Sequence, residues 1–547
     1  MGTYLNPGSE KFSMMLNSAI YVDKTAMLAE LNKLVRTAQR YLCVSRPRRF
    51  GKSVATDMLC AYYGKDADCR ALFEGRTIST CDDWDRYLGQ FDVVYLNIAD
   101  CLAESADAKD MVEYITEEVT KEIAAKYPQC ILDKRSSLRS VMNDVYNKYG
   151  SQFVVIIDEW DVIFREFKDD LSGQKEYLGF LRNWLKDKSY IAMAYMTGIL
   201  PIKKYGQHSA LNMFDEYSML SPMQLAPYTG FTEEEVQRLC QEYGVDFSRI
   251  KEWYDGYIVT SAVPVAGFLA SKSPGMVRQP ARAYHLYSPL SVVKAVSTGH
   301  IRNYWNKTET YEALAEYIRM DFDGLKETVA ELMDGRHIHV NLGTYKNDMT
   351  SFQYKDDILA LLIHLGYLGY DEAKEEVFIP NREILDEYKN STLSPEWSTT
   401  FKTLQNSQRL LEATWACDEE TVAELIEAAH DKTANHSYNS EAALSYAIQL
   451  AYYKAQDEYT LIPEMDSGKG YADLVFIPKS PTRPALLVEL KYNENADSAL
   501  EQIRRNRYPS RLELYKGNII AVGISYNRNQ SSDAPGFKHH SCHIFKC

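Results

Sequence analysis

The chain has 547 residues, of which 45% are hydrophobic and 25% are charged, and this size and composition allow about three buried cores. It has no run of about 18 apolar residues and does not open with a basic region followed by an apolar stretch, so we expect neither a membrane span nor a secretory signal and infer a cytoplasmic location. The ten cysteines are scattered without a C-x-x-C pair, which argues against a disulfide-rich secreted scaffold and predicts reduced thiols, mostly in the core.

Charge is unevenly distributed along the chain. The formal net charge is −15, yet residues 431–547 contain 14 Lys and Arg against 13 Asp and Glu. The C-terminal segment is therefore nearly neutral while the rest is strongly acidic, which makes this segment the better candidate for contact with a polyanion. An ordinary solvated surface accounts for the same balance.

The first informative pattern is a strand, a loop and a helix. The apolar run Tyr41–Ser45 predicts the strand, and the residues after Ser53 are apolar at helical spacing. The loop between them, RPRRFGKS, contains the second half of the phosphate-binding pattern G-x-x-x-x-G-K-[ST]. In this pattern Gly51 lets the backbone wrap the phosphates, Lys52 reaches the β- and γ-phosphates, and Ser53 binds Mg²⁺. Arg46 stands where the pattern has its first glycine, so the match is incomplete.

A second motif lies about 100 residues later. Phe153–Ile157 is an uninterrupted apolar run, typical of a strand at the centre of a parallel sheet, and it is followed by Asp158 and Glu159. This is the pattern of a Walker B element, in which Asp158 holds Mg²⁺ directly or through water and Glu159 polarises the attacking water. A buried strand followed by an acidic turn is common, but the two motifs in this order predict a nucleotide site.

A third strand-like run, Ile191–Gly198, ends in a polar residue. Thr197 is a candidate sensor of the γ-phosphate if this strand lies between the strands of the other two motifs. A strand that simply ends in Thr-Gly explains the pattern equally well.

The region that follows begins with a predicted capped helix. Thr232 is its expected N-cap, and Glu235 follows three residues later, as in a capping box. The aromatic residues of the run Trp253–Tyr257 are expected to pack in the interior rather than to stack on nucleic-acid bases.

Together these residues resemble the AAA-ATPase-like proteins of bacteria, a large group that usually ends in a PD-(D/E)XK nuclease-like domain. The resemblance is carried by the runs YVDKTAMLAEL, SRPRRFGKS, VVIIDEWD, MTGI and WYDGY. Members of the group show RPRRFGKS in place of the full glycine pattern, so Arg46 is the family's own form. The resemblance implies a P-loop parallel sheet with helices on both faces over residues 1–225, followed by a helical lid over 226–300. It also implies ATP and Mg²⁺ as cofactors, with ATP hydrolysis.

The resemblance extends to the loop arginines. It implies that Arg46, Arg48 and Arg49, with Phe50 beside them, contact phosphates or a neighbouring subunit, so that a homo-oligomer is one assembly to expect. Solvated loop charges are the alternative. The pattern from 301 to 430 is mostly amphipathic helix with one turn-rich interruption and predicts a helical connector of no evident function.

The C-terminal segment carries a second set of chemical residues. A strand-like run contains Glu464, and two further runs predict a hairpin that places Asp473 near the start of one strand and Glu489 and Lys491 on one face of the other. Two carboxylates and a backbone carbonyl can bind Mg²⁺, and the lysine can orient or deprotonate a water for phosphodiester attack. Alternating charges on a half-exposed strand are common, so this pattern is weak by itself.

The surroundings of these residues match the order of the PD-(D/E)XK superfamily. Glu441 lies on a preceding predicted helix, Gly470 comes just before Asp473, and Gln502 lies on the following predicted helix. Ala472 stands where the superfamily often has proline, which is dispensable to the metal chemistry.

This second resemblance implies a role for each matching residue. Asp473 and Glu489 would be metal ligands with Glu441 as an auxiliary carboxylate, Lys491 would be the catalytic lysine, and Gln502 would support the substrate or a metal-bound water. The arginines on or just after the helix of Gln502 suit phosphate contacts, with a solvated basic face as the alternative; they are Arg504, Arg505, Arg507 and Arg511. The run 517–527 predicts a strand that completes a small α/β domain over 431–547.

The leading hypothesis is an ATP-regulated, Mg²⁺-dependent nuclease that acts on nucleic acid, with DNA as the favoured substrate and no membrane partner. The first alternative is a nucleotide-dependent signalling or scaffold protein whose nuclease fold only binds nucleic acid or protein. The second is a nucleotide-binding regulator with negligible hydrolysis. Defence against foreign DNA and maintenance of mobile elements are both compatible with the leading hypothesis.

Overall fold

The structure is a computed structural model of the chain. It describes residues 2–129, 137–202, 211–261, 282–305, 310–320, 323–345, 352–392, 395–430, 448, 451–452, 454–466, 471–493, 495–505, 512, 515, 517–527 and 539–546. The chain divides into two compact units, Met1–Thr392 and Leu393–Cys547. Among the described residues, no helix has the length and apolar character that a membrane crossing requires.

The N-terminal unit is built on a five-stranded parallel sheet in the order β2-β3-β4-β1-β5. Its strands are β1 (Tyr41–Ser45), β2 (Asp92–Asn97), β3 (Phe153–Asp158), β4 (Ile191–Gly198) and β5 (Asp215–Tyr217). All residues of β1, β3 and β4 are buried, as expected for strands covered on both faces. The three apolar runs predicted as strands are thus the centre of the sheet, and β4 lies between β1 and β3.

Helices cover both faces of this sheet, which confirms the predicted fold class. On one face, Leu42, Val44 and Val154 share a core with Met58 and Leu59 of the helix that follows the phosphate-binding loop. The intervening strand residues point to the opposite face and are equally buried, so that face is covered as well. The helices are α1 (Glu10–Leu16), α2 (Met27–Asn32), α3 (Lys52–Tyr63), α4 (Arg70–Phe73), α5 (Ile98–Ala103), α6 (Ala108–Lys126), α7 (Leu138–Tyr149), α8 (Val162–Glu166) and α9 (Leu171–Leu185).

The next part of the unit combines helices with a small antiparallel sheet in the order β6-β8-β7. The predicted capping box is confirmed, since Thr232 N–H donates to Glu235 Oε2 at 2.8 Å and Glu235 N–H donates to Thr232 Oγ1 at 3.4 Å. The segment 226–300, expected to be helical, also contains this sheet. Its elements are β6 (Phe231–Thr232), α10 (Glu233–Tyr243), α11 (Phe247–Tyr254), β7 (Tyr257–Ser261), β8 (Arg282–Tyr287) and α12 (Pro289–Thr298).

The segment that follows also departs from the purely helical expectation, because a second antiparallel sheet has the order β10-β11-β9. Gly366, at φ +88°, ends a helix in the left-handed conformation that favours glycine, and the chain continues into a strand hairpin. The elements are α13 (Thr310–Ile318), α14 (Leu325–Met333), β9 (Ile338–His339), α15 (Lys355–Leu365), β10 (Gly369–Asp371), β11 (Glu376–Phe378) and α16 (Arg382–Ser391).

The C-terminal unit contains a five-stranded mixed sheet in the order β12-β13-β14-β15-β16. Only the β14–β15 pair is parallel among these strands, and a helix connects its two members, as parallel pairs require. The elements are α17 (Pro395–Ala416), α18 (Glu419–His430), α19 (Ala455–Glu458), β12 (Tyr459–Asp466), β13 (Tyr471–Pro478), β14 (Ala485–Tyr492), α20 (Ala496–Arg505), β15 (Ile519–Tyr526) and β16 (His540–Lys546). The predicted hairpin and the predicted strand over 517–527 are confirmed, whereas β16 was not anticipated.

The two faces of this second sheet have separate cores. Leu474 and Val488 pack with residues of α17 and α18, while Val475 and Leu487 pack with Ile503 of α20. The helices α17 and α18 therefore belong to the C-terminal unit, although the connector was expected to extend to residue 430.

Glu427 of α18 makes the polar attachment of this helix to β16. Its carboxylate accepts the His539 N–H at 3.1 Å and the His540 N–H at 3.0 Å, and it pairs with His540 Nδ1. Burial opposes the charged carboxylate, but the contacts with His540 and these two N–H groups outweigh burial and lower the pKa of Glu427 to about 2. Because this pKa is depressed, the stabilisation is present above about pH 4.5 and is lost as the pH falls through about 2.

We expect Glu427→Gln to destabilise this attachment by about 1–3 kcal/mol at neutral pH, since it removes a charged acceptor from buried donors. Hydrogen exchange of the backbone amides in residues 539–546 of the full chain should accelerate. Glu424→Gln, at an exposed position of the same helix, is the matched control. Equal exchange in the two variants would contradict the prediction.

Candidate functional site

The loop between β1 and α3 is shaped to receive an anion. Gly51, at φ +82°, is the N-cap of α3, and a Cβ built on it would have no atom within 4 Å. The left-handed conformation therefore accounts for the glycine more directly than crowding does. Lys52 and Ser53 are the first residues of α3, whose N-terminal N–H groups and positive partial charge favour phosphate.

Lys52 is buried within the loop it belongs to. Its Nζ donates to the backbone carbonyls of Arg46 at 3.0 Å and Pro47 at 2.9 Å, and its side chain is 7% exposed. Burial lowers the pKa of Lys52 to about 8, although the charges of Glu159 and Asp158 oppose the shift. A phosphate at the head of α3 would favour the ammonium form, so the loop is electrostatically suited to an anionic ligand.

Asp158 lies at the end of β3 and is fully buried. Its Oδ1 accepts the Glu159 N–H at 3.0 Å, while Oδ2 has no hydrogen-bond partner among the described residues. Burial raises the pKa of Asp158, and the Ser53 hydroxyl and the Lys52 charge partly oppose this rise. A buried carboxylate oxygen without a protein donor, near a serine hydroxyl, fits the hard-oxygen coordination that Mg²⁺ prefers.

Glu159 adopts a left-handed backbone conformation, with φ +53°, and its carboxylate is ion-paired with Arg165 of α8. Arg165 Nε lies 3.3 Å from Oδ2 of the buried Asp161. The same Oδ2 accepts the N–H groups of Ile199 at 3.0 Å and Leu200 at 2.8 Å, just after β4. This chain of contacts ties the acidic end of β3 to the segment that follows β4.

Sequence reasoning missed Asp161 and Arg165. Their i, i+4 spacing is the signal that could have revealed them, because residues four apart on a helix are neighbours. That signal is common on solvent-exposed helices, and here only burial distinguishes it.

Thr197 lies in β4, between the strands of the two nucleotide motifs, as its expected role requires. Its side chain is fully buried, and its hydroxyl donates to the backbone carbonyl of Val44 at 3.0 Å. The structure therefore gives the hydroxyl a partner within the sheet, and γ-phosphate sensing by Thr197 stays a prediction.

Arg46 differs from the other arginines of the loop. It is fully buried, and its Nη1 donates to the carbonyls of Ser45 at 2.8 Å and Tyr217 at 2.7 Å. Burial lowers the pKa of Arg46 to about 10. Arg46 therefore links β1 to β5 beneath the loop, where the family resemblance had implied contact with phosphates or a neighbouring subunit.

A cavity of about 510 Å³ opens beside the loop and α3. Its lining includes Arg48, Arg49, Phe50, Gly51, Lys52 and Ser53 of the loop together with Glu159, whereas Arg46 does not line it. The lining also includes apolar residues, among them Phe12, Met15, Ile20, Tyr21, Val22, Phe231 and Leu290. A ligand with a charged part and a flat apolar part suits this mixed lining.

A second group of charged residues lies on the sheet of the C-terminal unit. Leu474 pairs with Val488, so the next position along the antiparallel ladder sets Asp473 opposite Glu489. Asp473 Oδ2 accepts the Leu490 N–H at 2.7 Å, and Lys491 Nζ lies 3.7 Å from Glu489 Oε1. The structure thus brings together three residues predicted to form the catalytic site.

Glu489 has a raised pKa at this site. Its side chain is buried, and burial together with the Asp473 charge raises the pKa of Glu489 to about 8, while Lys491 partly opposes the rise. Simultaneous ionisation of two neighbouring carboxylates is unfavourable without a counter-charge. Such a pair of oxygen donors suits a hard divalent cation such as Mg²⁺ or Mn²⁺.

The remaining predicted residues are described only in part. Gln502, Arg504 and Arg505 belong to α20, and Glu464 belongs to β12. The other candidates lie outside the described residues; they are Glu441, Gly470, Arg507 and Arg511.

Comparison with known proteins matches two separate segments of the chain to known families. Residues 8–207 match the family model described as "Predicted AAA-ATPase", and residues 444–533 match the PD-(D/E)XK nuclease superfamily. These two matches confirm the resemblance inferred from the sequence: residues 8–207 are similar to the AAA-ATPase-like family and residues 444–533 to the PD-(D/E)XK nuclease superfamily.

One curated relative and two solved structures are also similar. The relative, an uncharacterized protein in the vnfD 5′ region of Azotobacter chroococcum mcd 1, is 25% identical over 312 residues, which cover 54% of this chain and 52% of the relative. The matched region thus spans about half the relative's length. The ORC2 protein of Aeropyrum pernix in ADPNP-ADP complexes has 12% identity and a TM-score of 0.28, covering 68% of this chain and 96% of that chain. Cdc6p of Pyrobaculum aerophilum has 10% identity and a TM-score of 0.22, covering 69% and 93% respectively.

We expect Arg165→Gln to destabilise the N-terminal unit by about 3 kcal/mol, because it leaves the buried Asp161 without its counter-charge. Chemical denaturation of the full chain, followed by the fluorescence of the buried Trp160 and Trp184, measures the loss. Arg182→Gln, at an exposed position of α9, is the control.

The additional change Asp161→Asn removes the unpaired charge, so the double variant should lose less stability than the sum of the two single changes. Strict additivity would contradict an Asp161–Arg165 interaction.

Proposed function

We propose that the protein binds ATP with Mg²⁺ at the N-terminal site and hydrolyses it. We further propose that the nucleotide state controls a metal-dependent cut of a nucleic-acid backbone at the C-terminal site, with DNA as the favoured substrate. We assign the ATPase to residues 1–225, the lid to 226–300, the connector to 301–392 and the nuclease to 393–547, because α17 and α18 pack on the sheet of the C-terminal unit. A homo-oligomer is the assembly we propose for the working protein.

The nucleotide part of the proposal rests on two buried charged groups. Lys52 lies at the head of α3, and Asp158 lies at the end of β3. Lys52 donates to two loop carbonyls, and Asp158 has one buried oxygen without a donor among the described residues. An anion and a divalent cation satisfy these two groups together, and Mg²⁺ bound to a nucleotide is that combination. The apolar residues of the cavity lining suit the adenine base.

The roles of the chain's own residues follow from these positions. Lys52 would hold the β- and γ-phosphates, and Ser53 and Asp158 would hold Mg²⁺, which when bound neutralises charge on the transferred phosphoryl group. Glu159 would orient the attacking water and accept its proton. Its ion pair with Arg165 competes with that role, so Glu159 must be released from Arg165 before it can act as a base.

The C-terminal site supports phosphodiester cleavage by the same kind of argument. The divalent cation, when bound by Asp473 and Glu489, supplies Lewis-acid activation of water and stabilises the charge of the cleaved phosphate. Lys491 would orient the water, and the Leu490 N–H holds Asp473 in place beside Glu489. Gln502 on α20 and the auxiliary Glu441 complete the proposed site.

Lys52→Ala should weaken ATP binding and lower ATP hydrolysis by about 10- to 100-fold, because it removes a charged donor to the phosphates. Phosphate release and titration of a fluorescent ATP analogue with Mg²⁺ measure the two effects. Lys175→Ala, at an exposed position of α9, should leave both unchanged. Hydrolysis that persists at the wild-type rate in Lys52→Ala would exclude this site as its source.

Asp473→Asn should lower nucleic-acid cleavage by about 100-fold, since it removes a charged metal ligand. Linear DNA, circular DNA and single-stranded RNA are tested with Mg²⁺ or Mn²⁺, in the presence and absence of ATP. Asp497→Asn, at an exposed position at the start of α20, is the matched control. If the wild type hydrolyses ATP yet cuts none of these substrates, the signalling or scaffold function replaces the nuclease.

A further inference from the structure

The phosphate-binding loop packs tightly against later parts of the N-terminal unit. A Cβ on Gly366, just after α15, would lie 2.7 Å from Pro47 Cβ. The Phe50 ring packs edge-on against Tyr257 at a centroid distance of 5.2 Å, and the Phe50 carbonyl accepts the Gly230 N–H at 2.9 Å. The segment that stands in place of a glycine-rich turn is therefore in contact with the region beyond the ATPase core.

Arg49 also contacts a segment beyond the ATPase core. Its backbone is left-handed, with φ +70°, a strained conformation for a residue other than glycine. Its Nη1 donates to the backbone carbonyl of Tyr304, and its guanidinium lies 6.0 Å from the centroid of the Trp305 ring. A strained backbone that directs an arginine to a carbonyl and an aromatic ring indicates a specific interaction.

The residues that Arg49 contacts are fixed to α16. Glu383 of this helix is buried and accepts the N–H groups of Tyr304 at 2.7 Å and Trp305 at 3.1 Å. Its carboxylate also accepts the Ser291 hydroxyl of α12 at 2.8 Å. Arg49 therefore binds the carbonyl of Tyr304, and Glu383 binds the N–H of the same residue. The segment of Tyr304 thus connects the loop to α16.

The run Trp253–Tyr257, whose last residue is the first residue of β7, provides a second connection to the same region. Tyr257, which contacts Phe50, donates its hydroxyl hydrogen to the Gly366 carbonyl at 2.7 Å. Gly256, at φ +108°, approaches the backbone before α16 so closely that a Cβ would lie 1.9 Å from the Pro380 carbonyl oxygen. No side chain fits between the two backbones, so the run that contacts Phe50 packs directly against the residues that precede α16.

We propose that Arg49 is a coupling residue, which transmits the nucleotide state of the loop to α16, rather than a phosphate ligand. The inference rests on the proposed binding of nucleotide at Lys52. Lys52 Nζ holds the carbonyls of Arg46 and Pro47, two to three residues before Arg49. When the ammonium turns to the phosphates, these carbonyls lose their donor, the backbone that positions Arg49 is released, and the contact with Tyr304 changes.

Hydrogen exchange of the full chain, with and without a non-hydrolysable ATP analogue and Mg²⁺, tests the coupling. In the wild type, bound analogue should change the exchange of residues 303–305 and 382–391 by about fivefold. Arg49→Gln should bind the analogue within about threefold of the wild type, less than the loss of one charged hydrogen bond, yet show no change at 382–391. Arg182→Gln, at an exposed position of α9, should retain both the analogue binding and the exchange response of the wild type.

Glu383→Gln tests the other end of the proposed connection, since it changes α16 and not the loop. This variant should also lose the analogue-induced change in hydrogen exchange at 382–391. If Arg49→Gln weakens analogue binding as much as Lys52→Ala does, Arg49 is a phosphate ligand and the inference is overturned. An analogue that binds the wild type without changing exchange at 382–391 overturns the inference alone. Absence of binding to the wild type, measured by fluorescence titration, overturns the proposed function as well.

Discussion

The burial of the Lys52 ammonium at the head of α3 is the interaction on which the N-terminal unit depends. The ammonium is held by two loop carbonyls and by the field of Asp158 and Glu159. Burial lowers the pKa of Lys52 to about 8 and so disfavours its charged form. A phosphate bound at the same place would stabilise the charged form. The loop geometry, the carboxylates at the end of β3 and the cavity beside them are arranged around this charge.

The C-terminal site also places an ionisable group where burial opposes its charge, but here the group is a carboxylate. Burial and the neighbouring Asp473 raise the pKa of Glu489 to about 8, so the carboxylate pair carries a charge that its surroundings disfavour. A divalent cation is the partner that stabilises two adjacent carboxylates, as a phosphate stabilises a buried lysine. Each site thus favours a ligand of the opposite charge, because the protein alone leaves its own buried charge under-compensated.

The sequence predicted those strands that contain both buried core residues and candidate site residues. Such strands are recognisable because the two kinds of residue lie in one short segment. They are the apolar runs with Asp158 and Thr197 at or near their ends, and the hairpin with Asp473 and Glu489. The sheets β6–β8 and β9–β11 were missed because strands of two to six residues show no clear alternation. The inward direction of Arg46 depends on the carbonyl of Tyr217, which is 171 residues away, and no local pattern records such a contact.

The placement of Arg46 also explains how this loop differs from a glycine-rich one. By binding the carbonyls of Ser45 and Tyr217, Arg46 fixes the first half of the loop to β1 and β5. The left-handed positions of the loop are Gly51, which lines the cavity, and Arg49, whose side chain donates to the Tyr304 carbonyl outside the loop. The loop is thus held at its start by Arg46, at its end by α3 and in between by Arg49, and the proposed coupling rests on this last contact.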